Sequence, residues 1–139
     1  FRERPALSAA AAPEATQTVT IWHNPACGTS RKVLAAIRAA GVEPVVVEYL
    51  KTPPSAAEIR EACARMGISP RSLLRRKAPE FAIQELDDPG LPAKVAVEAM
   101  VKTPALIERP VVLAPGGARL CRPPELVAEI VPGAVVKPG

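Results

Sequence analysis

Apolar and polar positions change period several times along this 139-residue chain. Val19 to Trp22 is a short β-prone run. From Ser30 to Ala40 the apolar side chains Val33, Leu34 and Ile37 recur at helical spacing, and Gly41 closes the helix. Val45, Val46 and Val47 follow as an unbroken apolar run, the pattern of a strand covered on both faces. Strand, helix and strand in this order predict a βαβ unit with parallel strands joined by a right-handed crossover.

Ser55 and Glu58 then stand at capping-box spacing before a helix with Ile59, Cys63 and Met66 on one side, ended by Gly67. A second, shorter helix is expected from Ser69-Pro70, carrying Arg71, Arg75, Arg76 and Lys77, with proline at its first position. Leu91 to Val101 repeats the helical pattern up to Thr103-Pro104. Pro110 to Leu113, the turn Pro115-Gly116-Gly117 and Ala118 to Leu120 read as a β-hairpin. A last helix from Pro123 or Pro124 is expected to bury Leu126, Val127, Ile130 and Val131. The series is α/β and fits a mixed four-stranded sheet flanked by helices, with a helical insertion between the second and third strands. A thioredoxin-like fold has this plan. Residues 18–132 are taken as the domain, 1–17 as a disordered extension or expression remnant, and 133–139 as a flexible tail.

Composition narrows the function. No apolar run approaches the roughly eighteen residues of a membrane-spanning helix. A formal charge of +4 fits an anionic small molecule. Two Phe, one Tyr and one Trp offer few stacking platforms for single-stranded nucleic acid. The basic cluster Arg71, Arg75, Arg76 and Lys77 has no groove-reading motif beside it, and a solvated helix face explains it. Three cysteines, none at CxxC spacing, argue against a disulfide framework or a structural metal and for a reducing, cytoplasmic setting.

Cys27 holds the chemistry. It lies where the strand pattern gives way to the helix pattern, so unpaired backbone N–H groups and the positive helix end favour its thiolate. His23 and Arg31 bring further positive charge into the same run, and Gly28 allows close approach to the sulfur. Two readings of His23 stay open: a strand-end histidine with one hydrogen bond, or a group supporting the Cys27 thiolate. Ser30 is read either as a cap or as a hydroxyl donor to the sulfur. Ser30 also stands where disulfide oxidoreductases of this fold keep a second cysteine, so a resolving thiol must come from outside. Cys63 and Cys121 are read as packing residues.

The runs His23-Asn24-Pro25-Ala26-Cys27-Gly28-Thr29-Ser30-Arg31, Met66-Gly67-Ile68-Ser69 into Leu73-Leu74-Arg75, Glu108-Arg109-Pro110 and Arg119-Leu120-Cys121-Arg122-Pro123 closely resemble the glutaredoxin-coupled arsenate reductases of the thioredoxin superfamily, the ArsC family. The resemblance spans Val19 to about Val131. It implies that Cys27 attacks arsenate and that Arg75, Arg109 and Arg122 bind the oxyanion. It also implies glutathione as co-substrate, glutaredoxin as the partner that regenerates the thiol, and no bound cofactor; a monomer is the expected state. Thioredoxin-like proteins have a cis proline before the third strand, and Pro110 matches it. Physically, forked and permanently charged guanidinium groups suit paired oxyanion oxygens better than lysines do.

Three rivals are weaker. The arsenate reductases related to small tyrosine phosphatases need an arginine six positions after the cysteine, where this chain has Val33. A regulatory interaction module like Spx carries a CxxC switch that Ser30 removes. An ArsC-like reductase acting on another substrate remains the third.

Overall fold

The computed structural model describes residues 18–136. The extension expected over 1–17 lies outside the described residues. Strand β1 (Thr20–Trp22) leads to helix α1 (Gly28–Ala39), strand β2 (Val45–Val47) and helix α2 (Ala56–Met66). The helical insertion continues with a 3-10 turn (Pro70–Leu73), α3 (Pro79–Ile83), α4 (Ala93–Lys102) and a second 3-10 turn (Pro104–Leu106). The chain finishes with the hairpin β3 (Val111–Ala114) and β4 (Gly117–Leu120) and a 3-10 segment (Pro124–Glu129).

The sheet has the order β2-β1-β3-β4. β1 runs parallel to β2, with Ile21 opposite Val46, and antiparallel to β3, with Ile21 opposite Val112. Side-chain alternation along β1 and β3 divides the interior between the two faces of the sheet. Trp22 and Val111 enter one cluster with Ile59, Cys63, Leu73, Val97, Met100 and Ile107. Ile21 and Val112 enter the other, with Val33, Ile37, Cys121, Val127 and Ile130. This is the mixed, helix-flanked sheet that the element series predicts.

Several boundaries differ from the sequence reading. β2 is an outer strand paired only with β1, and Val45 is half exposed rather than covered on both faces; β-branched side chains favour extended backbone there even without full burial. The helix expected to carry Arg71, Arg75, Arg76 and Lys77 stops at Leu73. Leu74 instead forms an isolated antiparallel bridge with Ile107, and Arg76 and Lys77 then make a turn closed by the Ala78 N–H on the Arg75 carbonyl at 3.1 Å. The last helix is a six-residue 3-10 segment, and Leu126 is only half buried while Val127, Ile130 and Val131 are buried. The five-residue α3 is too short to leave a periodic signal. Of the tail expected over 133–139, Ala134 is buried in the second cluster, and residues 137–139 lie outside the described residues.

Local signals were more dependable. Ser55 Oγ accepts from the Glu58 N–H at 3.1 Å, and Glu58 Oε1 accepts from the Ser55 N–H at 2.8 Å, completing the capping box. Gly67 ends α2 at φ +71°, a left-handed conformation that costs glycine little. Peptide bonds 109–110 and 122–123 are both cis, where the sequence reading expected only the first.

Candidate active site

Cys27 is the N-cap of α1, in extended backbone, and its carbonyl accepts the Arg31 N–H at 3.0 Å. The loop that delivers it is tied down at both ends. The His23 N–H continues the sheet onto Val47 O at 2.8 Å, and the Asn24 carbonyl accepts the Cys27 N–H at 3.0 Å. Asn24 Oδ1 accepts from Ala26 N–H at 2.9 Å, and Arg31 folds back to donate to the Pro25 carbonyl at 2.8 Å. The helix therefore begins two residues earlier than its apolar period suggests, with the sulfur at its positive end.

Cys27 is partly exposed. Burial alone would push its thiol up, but a hydrogen bond from the Arg109 guanidinium, the N–H groups of Ser30 and Thr29, and the Arg109 charge bring it below the ordinary thiol value. The other two cysteines behave oppositely. Both are buried, and loss of hydration pushes Cys63 to about 11 and Cys121 to about 12. They are packing residues with no thiolate at neutral pH.

Ser30 and His23 form a pair of their own. Ser30 is fully buried, and its Oγ lies 2.6 Å from His23 Nδ1 while accepting the Asn24 N–H at 3.1 Å. The short contact fixes the ring through Nδ1 and leaves Nε2 as the nitrogen turned away from Ser30. Burial lowers the His23 pKa, with Arg38 and Arg31 adding to the effect and Glu48 opposing it, so the ring is neutral at pH 7. Ser30 reaches the sulfur through its backbone N–H, while its hydroxyl orients His23 and fixes the loop.

The three arginines come from distant parts of the chain and meet. The Leu74–Ile107 bridge, with Arg75 N–H to Leu106 O at 2.7 Å and Glu108 N–H to Leu73 O at 2.9 Å, sets Arg75 beside Glu108. Glu108 Oε1 is 3.8 Å from Arg75 Nε and 4.0 Å from Arg122 Nη1, and it accepts the Arg109 N–H at 3.3 Å. Arg122 Nη1 also donates to the Arg109 carbonyl at 3.0 Å. Arg109 then reaches Cys27. Burial weakens the charged form of Arg109, yet its bond to Cys27 and the neighbouring negative groups keep its pKa above the ordinary value. The arrangement sets Arg109 beside an activated thiol and gathers Arg75 and Arg122 on the Glu108 carboxylate next to it in sequence, fixed positive charge and forked donors of the kind that suit a tetrahedral anion.

Sequence reasoning left out three residues at this site. Glu108 was noticed only as part of a motif. Tyr49 is fully buried, and its hydroxyl, like Arg109 Nε, has no hydrogen-bond partner among the described residues. It lies within electrostatic reach of Arg109, Asn24 and Cys27, and burial pushes its pKa up. Asn24, the third, ties the loop and faces Tyr49. A shallow groove lined by His23, Pro25, Arg31, Leu34 and Arg38 runs along one side of the Cys27 loop.

Comparison with known proteins agrees with this geometry. The ArsC family pattern matches residues 22–130. An arsenate reductase of Rhizobium meliloti is 54% identical over 115 residues, covering 83% of this chain and 82% of that protein. An arsenate reductase of Escherichia coli is 46% identical over 116 residues, covering 84% and 82%. Among solved structures, an arsenate reductase from Vibrio cholerae superposes with a TM-score of 0.78 at 39% identity, over 82% of this chain and 98% of that one.

Proposed function

We propose, from the premise that this chain belongs to the ArsC family and is an arsenate reductase, that Cys27 is its nucleophile and that glutathione and glutaredoxin supply the electrons. Arsenate enters between Arg75, Arg109 and Arg122. Their guanidinium groups neutralise the repulsion between an anionic substrate and an attacking thiolate, and their forks hold its oxygens. The Cys27 sulfur bonds to arsenic as one arsenate oxygen is protonated and leaves as water. Arsenic is still pentavalent at this point.

The electrons move in the next step. A glutathione thiolate attacks the Cys27 sulfur, a disulfide forms, and the pair of the breaking S–As bond goes to arsenic, which leaves as arsenite. Glutaredoxin then attacks the mixed disulfide at the glutathione sulfur and frees the Cys27 thiolate. Ser30 occupies the position from which a second cysteine would resolve Cys27 internally, and Cys63 and Cys121 are buried with raised pKa values, so the reductant comes from outside. In the groove past His23, Arg31 offers a positive charge to a carboxylate of glutathione, while Arg38 there is paired with Glu43 at 3.0 Å. No resident cofactor is required, because both electrons come from thiols. In this reading the enzyme works as a monomer and draws on a cytoplasmic glutathione pool.

The observation that carries this reading is the meeting of Arg75, Arg109 and Arg122 around Glu108, with the Arg109 guanidinium acting on the Cys27 thiol to lower its pKa. The test is arsenate-dependent NADPH oxidation with glutathione, glutaredoxin and glutathione reductase. Wild type gives signal and Cys27→Ser gives none. No signal from wild type, with coupling enzymes shown to be active, overturns the assignment.

A further inference from the structure

Glu108 sits where an anion-binding site should avoid a carboxylate. One oxygen, Oε1, lies 3.8 Å from Arg75 Nε, 4.0 Å from Arg122 Nη1 and 3.3 Å from the Arg109 N–H, so it touches all three residues of the cluster. Its side chain is only 20% exposed, and water screens its charge incompletely. Arg75 meets it through Nε, which leaves the two terminal nitrogens of that guanidinium for a ligand.

We propose that Glu108 is a specificity-determining residue that sets the charge of the oxyanion this site accepts, favouring a monoanion over a dianion. The proposal rests on the oxyanion-site reading above. Three guanidinium charges, less the Glu108 carboxylate and the Cys27 thiolate, leave a single net positive charge. A monoanion neutralises it and a dianion overshoots. Arsenate titrates between these two forms near neutral pH, so the carboxylate selects the form carrying the extra proton. That proton is the one needed when an oxygen leaves as water. Glu108 also braces Arg75 and Arg122, and a glutamine at the same place keeps an acceptor oxygen for the brace while removing the charge.

The coulombic cost of a nearby carboxylate scales with ligand charge. A gain of about threefold for a monoanion therefore becomes its square, roughly tenfold, for a dianion. The experiment measures protection of Cys27 from iodoacetamide by sulfate, a dianion, and by perrhenate, a tetrahedral monoanion, in wild type and Glu108→Gln. This readout needs no turnover. Expected is protection by both anions in wild type. In Glu108→Gln the sulfate concentration for half-protection falls roughly tenfold and that for perrhenate roughly threefold. Glu108→Asp, which keeps the charge, retains the wild-type preference. An unchanged or weakened sulfate effect in Glu108→Gln, with wild-type protection intact, overturns the proposal alone. Absence of protection by any anion in wild type overturns the oxyanion site and this proposal with it.

Discussion

Arg109 is the residue on which the thiol's acidity turns. Its hydrogen bond and charge outweigh the cost of burial at Cys27, so Arg109→Ala moves the inflection of the alkylation rate of Cys27 to higher pH. Losing one such donor from the reacting centre also lowers kcat/KM by about a hundredfold, some 3 kcal/mol. Arg109→Lys keeps the charge but not the fork, and recovers the alkylation profile better than the turnover. His23 yields a second expectation. Its folded pKa is held below the ordinary 6.5 by burial, so between those two values the unfolded chain binds more protons. The stability His23 lends is therefore complete above about pH 6.5 and is lost as pH falls below it. Urea midpoints at about pH 7.5 and 5.5 measure the slope, and His23→Gln flattens it. Cys27 was legible in the sequence because it marks the change from strand to helix period. Tyr49 was not, since an aromatic residue just past a strand looks like ordinary packing until the fold sets Arg109 against it.

Secondary-structure elements place these side chains, and the ends of the elements are where the sequence spoke most clearly. Ser55, Glu58 and Gly67 bracket α2 with local hydrogen bonds that depend on nothing distant. Gly67→Ala forces a side chain into φ +71° and costs about 1 kcal/mol, seen as a lower urea midpoint with unchanged slope. Elements held by partners far away in sequence were harder to read. Nothing local to Leu74 announces that it will bridge Ile107, so the basic run from Arg75 to Lys77 looked like more helix. The segment after Pro123 has helical apolar spacing, yet it spans six residues and stays 3-10, a form confined to short pieces.

At the scale of the whole molecule, one sheet with a cluster on each face holds both halves of the site in register. The second cluster backs α1, whose first residues present the sulfur, and Ile37 is completely buried there. Ile37→Ala removes that packing and lowers unfolding free energy by about 2–5 kcal/mol in urea titration. The order of strands was only half legible: three consecutive valines announce a strand but cannot say whether it has one neighbour or two, and β2 has one. The contrast among the cysteines has a practical consequence. Only Cys27 is accessible and acidic, whereas Cys63 and Cys121 are enclosed, one in each cluster. A colorimetric thiol reagent therefore titrates one equivalent per native molecule and all three after denaturation. The chain is its own gauge of foldedness, and a single-site handle for a dye comes without engineering.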